Sequence, residues 1–390
     1  MKCKKNILKK LLLLFILFSL CYCKTEKQEK LPKTTYTETA ADSIAYAKGF
    51  SIQKEASGIT IIKVKSPWPK AEAAFTYALV PKEKLAFITL NKDVYDAIVS
   101  VPVERIVVTS TTHIPALEAL QVSQTLVGFP GLDYISSEQT RKRIDENKVQ
   151  ELGGNETLNT ELVLSLQPEV VMGFGISHQN KAYQTLQQAN IPVVYNGDWV
   201  EETPLGKAEW IKFFAPFFKK EQEANAIFNE IAFNYNEAKK LAKKAASKPT
   251  VLSGSLYKDV WYLPGGKSWA AQFMHDANTS YLWSNTKATG SLSLSIENVL
   301  EKGQQAQFWI APGQFTSFDA MQQDNAHYSQ FAAFKDKKVY TFSRAKGATG
   351  GVLYYELGPN RPDIILKDLI RIFHPELLPD YKPFFFSPLE

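Results

Sequence analysis

FKKEQEANAIFNEIAFNYNEAKKLAKKAAS, residues 218–247, is the stretch that decides the fold. Ala224, Ile227, Phe228, Ile231, Tyr235, Ala238 and Ala242 recur at steps of three or four, the repeat of one helix face. Neither Gly nor Pro interrupts the run. Glu221 and Glu223 stand at its start, and Lys239, Lys240, Lys243 and Lys244 at its end. That order complements a helix dipole. A helix over 218–248 would be about 45 Å long, the width of a domain. Alone, the pattern also fits an ordinary amphipathic surface helix. Its setting argues for more. Strand-and-helix patterns of the same kind lie on both sides, so the helix reads as a strut between two α/β lobes.

Upstream, the first lobe covers 102–217. Short apolar strands are predicted at 105–109, 126–129, 170–172 and 193–195, with helices at 114–120 and 182–189 between them. Ser110, Thr111 and Thr112 offer caps for the first of these helices. Downstream, the second lobe covers 249–390. Strands are expected at 250–252, 261–263, 308–311 and 339–342, with helices at 268–275 and 361–373. Strands alternating with helices imply a parallel sheet, whose ligand end is the carboxyl edge of its strands. A weak internal repeat links the lobes. Thr160-Glu161-Leu162-Val163-Leu164 precedes Gln167-Pro168-Glu169-Val170-Val171. Ile296-Glu297-Asn298-Val299-Leu300 precedes Gln304-Gln305-Ala306-Gln307-Phe308 in the same manner. Ahead of both lobes, residues 44–101 form a β-rich extension, with strands expected at 59–64, 73–80 and 85–90.

The first residues are of another kind. Lys2, Lys4, Lys5, Lys9 and Lys10 precede an apolar run at 11–20. A basic start and a ten-residue apolar core make a secretory signal, too short to span a bilayer. Leu20-Cys21-Tyr22-Cys23 resembles a lipoprotein cleavage box with Cys23 as the modified residue, although Tyr22 replaces the usual small residue and Cys21 is the alternative. Residues 1–22 are therefore expected to be a signal peptide, and 23–43, rich in Lys, Glu and Thr, a flexible tether. Five of the 45 basic residues lie in 1–22, which holds no acid, leaving 40 of each sign. The basic balance belongs to the signal and gives no argument for nucleic-acid binding. The three cysteines are Cys3, Cys21 and Cys23. The folded body thus has no disulfide, thiol nucleophile or zinc–thiolate site.

Several motifs fail on inspection. Gly265-Gly266-Lys267-Ser268 would need an earlier glycine where Trp261 stands to be a phosphate loop. Gly173-Phe174-Gly175 follows a strand, but the third glycine of a dinucleotide fingerprint is replaced by His178. His113, His178, His275, His327 and His374 are scattered without metal-binding spacing. No catalytic or metal-ligating set is assigned. Aromatic residues remain. Tyr134, Phe174, Trp261, Tyr262, Trp283, Tyr354 and Tyr355 fall on or near predicted strand-end loops. Such rings suit a large, flat or partly apolar ligand. Packing beneath a loop is the competing reading of each ring. For Trp261 that means the second lobe's core, against a cleft-facing loop 261–266. Arg344, with Arg141 and Lys181, is a candidate anchor for an anionic ligand.

In the order and spacing of these segments the chain resembles the class III solute-binding proteins of ABC importers. That family carries iron–siderophores, haem and cobalamin. The resemblance rests on Arg105-Ile106-Val107-Val108-Thr109, the two Glu-bearing segments quoted above, and the closing Gly358-Pro359-Asn360-Arg361-Pro362-Asp363 with His374-Pro375-Glu376. It covers roughly residues 102–379; the extension departs from it. The resemblance implies two Rossmann-like lobes bridged by one long helix, and a binding protein rather than an enzyme. The ligand would be an iron–siderophore or corrinoid held in the interlobe cleft, with no covalent cofactor other than lipid. Glu161 and Glu297 match the two glutamates, one per lobe, that dock onto the permease. Expected partners are the permease, its ATPase and a membrane reached through the lipid on Cys23, with the body a monomer facing the periplasm or exterior. Two alternatives remain open: a secreted two-lobed α/β enzyme, and a zinc- or manganese-binding member of the same class.

Overall fold

The first four strands run Phe50–Lys54, Thr60–Val64, Phe75–Pro81 and Ala97–Val101. The computed structural model describes residues 44–390 except Lys70, Glu72, Ala73, Thr89 and His178. The signal, the tether and Cys23 lie outside the described residues. Strands one to three of the extension pair antiparallel, and the fourth joins the third in parallel. The described residues of 85–90, a range expected to be a strand, do not form one. The polar run Lys82–Lys84 turns the chain there, and Ala97–Val101 supplies the fourth strand. Alternation sends Ile62, Val64, Phe75, Tyr77 and Val99 inward, into the same apolar core as the first lobe.

Two buried carboxylates pin the start of the extension. Glu209 accepts from the Ala45, Tyr46 and Ala47 amides at 2.6–3.1 Å and pairs with Lys212 Nζ at 2.9 Å. Glu201 accepts from the Lys48 and Gly49 amides at 2.8 and 2.7 Å. A buried carboxylate is stable only when its oxygens are filled in this way.

The first lobe has a five-stranded parallel sheet in the spatial order Gln150–Glu151, Leu126–Phe129, Ile106–Val108, Val170–Phe174, Val193–Asn196. In the second lobe the order is Ser280–Tyr281, Thr250–Ser253, Phe308–Ile310, Val339–Thr341, with Ser387–Pro388 antiparallel at the edge. Each lobe thus places its second strand on one side of its first, and the strand of the internal repeat on the other. The repeat is visible as two helix–strand units, Thr160–Leu166 with Val170–Phe174 and Ile296–Gly303 with Phe308–Ile310. A separate antiparallel sheet, Ser255–Tyr257, Val260–Pro264 and Ser291–Leu294, sits on the second lobe.

The bridging helix is Glu221–Ala242, 22 residues, or about 33 Å at 1.5 Å per residue. It is shorter at both ends than the 218–248 expected. Phe218 instead closes the preceding helix Ile211–Phe218, because Lys219 turns left-handed (φ 56°) and ends it. Past Ala242 the face that could be buried runs out into Lys243 and Lys244. Ala224, Phe228, Ile231, Tyr235, Ala238 and Ala242 are buried, and the helix packs along the closing helix Pro362–Phe373.

Candidate ligand-binding cleft

The carboxyl edges of the two sheets meet. Beyond the strand Leu126–Phe129, the Ser136 and Ser137 amides donate to Glu356 of the second lobe at 2.6 and 2.9 Å. Thr349 Oγ1 donates to the Asp133 carbonyl at 2.8 Å, and Asn360 Nδ2 to the Thr112 carbonyl at 2.9 Å. Glu356 is buried, and burial raises its pKa to about 7; the nearby Glu118 carboxylate pushes the same way, while the two amides pull it down. These contacts tie one side of the gap. The strand ends on the other side carry the candidate site.

In the second lobe the strand order reverses between Thr250–Ser253 and Phe308–Ile310, and ligands of open α/β sheets bind at such reversals. A cavity of ≈ 610 Å³ opens there, floored by Gly254, Ala311 and Gly313. Tyr262 and Tyr355 stand on its walls, 42% and 50% exposed, with Gln314, Phe315 and Phe342 beside them. Gly254 has φ +79°, and a Cβ there would lie 1.9 Å from the Tyr262 carbonyl oxygen. Only glycine lets the strand Val260–Pro264 cross so close to the floor.

Two tryptophans hold this floor. Trp261 and Trp309 stack at 5.3 Å and donate through Nε1 to the Ser253 carbonyl at 3.1 Å and the Gly254 carbonyl at 2.8 Å. This corrects the expectation for Trp261, which is 0% exposed and packs on Tyr328 and Phe331. Strand alternation explains it: Tyr262 faces out, so Trp261 and Leu263 face the core. The glycines that follow, Gly265 and Gly266, pack against the backbone of residues 283–288 and do not face a cleft.

Three other expected ligand contacts are also corrected. Trp283 is buried, with Lys302 Nζ above its ring. Tyr354 is buried and stacked on Phe342 at 4.1 Å, so it backs the cavity wall rather than forming it. Arg344 pairs with Glu390 and donates to the Pro388 carbonyl at 3.2 Å, which ties it to the edge strand. Arg141 likewise donates to the Leu132 carbonyl at 2.7 Å. Tyr134 is 72% exposed beside the interlobe contacts.

The first lobe is built differently at its own reversal point. Thr109 Oγ1 accepts from the Phe174 amide at 2.8 Å. The Tyr183 hydroxyl lies 2.9 Å from Thr109 Oγ1, 2.9 Å from Asn155 Oδ1 and 3.1 Å from the Phe174 carbonyl. These groups tie the two strand ends and residue 155 together. Phe174 is half-buried and leans on Trp199 at 5.4 Å. Gly254 and Phe342 are site residues that the sequence reading missed. His113 of the first lobe is fully buried against Phe214, with no hydrogen-bond partner for either ring nitrogen. Burial lowers its pKa to about 4, against the opposing pull of Asp198.

Glu161 and Glu297 are both exposed, each in the first turn of its repeat helix. Asn159 and Ser295 cap these helices through the Leu162 and Asn298 amides. The Ser295 hydroxyl and the first-turn backbone hold Glu297 below the usual carboxylate range.

Two parallel-sheet lobes joined by one long bridging helix, with a cavity at the second lobe's strand ends, are the fold of the periplasmic binding proteins. Residues 106–345 match the periplasmic binding protein family, and the chain belongs to that family. It is a family of binding proteins, not enzymes. An uncharacterised lipoprotein of Methanocaldococcus jannaschii is 27% identical over 298 residues, which cover 74% of this chain and 69% of that one. A periplasmic haem-binding protein of Pseudomonas aeruginosa shares the fold with a TM-score of 0.57 at 18% identity, over 74% of this chain and 98% of that one. An ABC-type Fe3+-hydroxamate transport protein of Saccharomonospora viridis does so with a TM-score of 0.52 at 14% identity, over 70% and 94%.

Proposed function

We propose that this protein is the substrate-binding lipoprotein of an ABC importer. It captures a metal chelate, an iron–siderophore, haem or corrinoid, between the lobes and delivers it to the permease. The observation that carries this reading is the ring-walled cavity at the second lobe's reversal point, in a chain of the periplasmic binding protein family. Tyr262 and Tyr355 offer exposed ring faces there, whereas Arg344 and Arg141 are engaged within the protein. A broad ligand of low charge suits that surface better than a compact, strongly anionic one. Glu161 and Glu297 would meet cations of the permease, one per lobe, so that docking senses the spacing of the lobes. Lipid on Cys23 would hold the body at the outer face of a membrane. A lipoprotein among its relatives supports that anchor.

Native mass spectrometry against haemin, cyanocobalamin and a ferric trihydroxamate tests the reading. One-to-one binding of at least one of them at micromolar concentration is expected. Binding of none, with binding of free zinc or manganese instead, would move the protein to the metal-ion branch of its class.

A further inference from the structure

The extension at 44–101 precedes the family match, which starts at residue 106, yet it reaches the carboxyl edge of the first lobe. Between its second and third strands runs Ser66-Pro67-Trp68-Pro69. The Pro67 carbonyl accepts a hydrogen bond from Trp199 Nε1 at 3.0 Å. The Trp68 ring packs edge-on against Tyr195 at 5.1 Å, and Tyr77 of the third strand accepts from the Tyr195 amide at 2.9 Å.

Two glycines make room for this turn at the strand ends. A Cβ on Gly197 would lie 2.9 Å from Pro67 Cα, and one on Gly175 would lie 3.1 Å from the Tyr195 ring and 3.3 Å from Trp68. Both follow strands of the first-lobe sheet, Val193–Asn196 and Val170–Phe174. The space beside these strand ends is therefore taken by the extension. Lys207 Nζ fixes the turn Asp198–Val200, which carries Trp199, from within the lobe, donating to the Asp198 and Trp199 carbonyls at 3.0 and 2.8 Å.

We propose that the extension is the outer wall of the ligand site: its turn at 66–69 holds Trp199 against Phe174, and this ring pair sets how broad a chelate the first lobe accepts. The inference rests on the chelate-binding reading above. It makes Trp199 a ligand-contacting ring, Pro67 and Trp68 its positioning residues, and a planar tetrapyrrole the favoured ligand class.

The test uses the full-length chain in detergent and the same three probes. Trp199→Phe keeps a ring and loses the bond to Pro67. Gly197→Ala pushes the turn away and leaves Trp199 in place. Trp199→Ala removes the ring. The first two should weaken tetrapyrrole binding by about three- to tenfold, in line with one hydrogen bond. Trp199→Ala should weaken it by about ten- to a hundredfold. The ferric trihydroxamate should be affected less. In protein labelled with 5-fluorotryptophan, the Trp199 resonance, assigned by its loss in Trp199→Phe, should shift on adding the bound probe. It should shift without probe in Gly197→Ala. A wild type that binds a probe, with all three variants matching it and the Trp199 resonance unmoved, overturns the wall and leaves the function standing. A wild type that binds none of the three overturns both.

Discussion

The two lobes share the order of four parallel strands but treat their reversal points differently. In the second lobe the first strand runs into Gly254, Gly313 stands across from it, and a cavity remains. In the first lobe the equivalent strand runs into Thr109, whose hydroxyl is hydrogen-bonded to the Phe174 amide and the Tyr183 hydroxyl. The rings move with the space. Tyr262 and Tyr355 line the second lobe's crevice, whereas Phe174 and Trp199 lie toward the outer edge, beside the extension. A duplicated topology thus places a reversal point in each lobe, and a few glycines and hydroxyls make the two differ.

The largest effect that can test this contrast is in the second lobe's core. Trp261→Ala removes a stacked, fully buried ring and the donor to the Ser253 carbonyl. It should cost about 3–5 kcal/mol of stability, read from the urea midpoint, with or without ligand. A variant that keeps its midpoint and loses only affinity would return Trp261 to the ligand and break the description of the floor.

Next come the walls. Tyr262 and Tyr355 are half exposed, so replacing either by Ala should leave the midpoint within about 0.5 kcal/mol of wild type. Each covered ring is worth roughly 1.5–3 kcal/mol by area. Haemin or another bound chelate should then dissociate about ten- to a hundredfold more readily, as measured by tryptophan quenching. Unchanged affinity in both variants would place the ligand elsewhere on the strand ends.

A smaller effect separates the lobes by pH. Glu356 in the second lobe has a folded pKa raised from the usual carboxylate value to about 7. The folded state then holds a proton that the unfolded state has released. Its contribution is complete below the unfolded pKa and is lost as pH rises toward 7. His113 in the first lobe has a folded pKa lowered to about 4. It contributes above its unfolded value near 6.5 and loses that contribution as pH falls toward 4. The slopes oppose each other across pH 4.5–6.5. Glu356→Gln should flatten the first and His113→Leu the second, each by on the order of 1–2 kcal/mol over that window, read from urea midpoints at half-unit pH steps. Identical slopes in wild type and variant would remove that group from the account.

Much of this architecture was legible in the sequence because it depends on periodicity. The 3.6-residue repeat of 221–242 marks the bridge, and short β-branched runs such as Ile106–Val108 mark buried parallel strands. The helix ends were not legible. Lys219 stops one helix by adopting a left-handed turn, a conformation no residue type other than Gly advertises. The site was legible only in part. Tyr262 and Tyr355 line the cavity, but from the middle of a strand and from a short helix rather than from strand-end loops. Trp261 does not, because a single step along a strand reverses the face, and strand register is fixed by partners distant in sequence. The extension's role depends on the contact of Pro67 with Trp199, 132 residues apart. The available sign of it was the glycine after each of two neighbouring strands, Gly175 and Gly197.

The smallest effect on the isolated molecule belongs to the place where the lobes are most alike. Glu161 and Glu297 occupy the same position, the exposed first turn of a capped helix that leads into the strand beside the lobe's first. A carboxylate there is favoured by the helix terminus, and that alone would justify both residues. Docking demands something more, namely that both matter when the helices are otherwise intact. Replacing each glutamate by Gln removes the charge at little cost to the helix, and Lys reverses it. Ligand affinity should be unchanged in all four variants, because neither side chain lines the cavity. Uptake of a labelled chelate by cells carrying the permease should fall several-fold with Gln and further with Lys, and the double Lys variant should fall below either single one. Equal losses of affinity and uptake would make these glutamates structural. A loss of uptake from one lobe only would mean that the permease reads the two lobes unequally, despite their matching geometry.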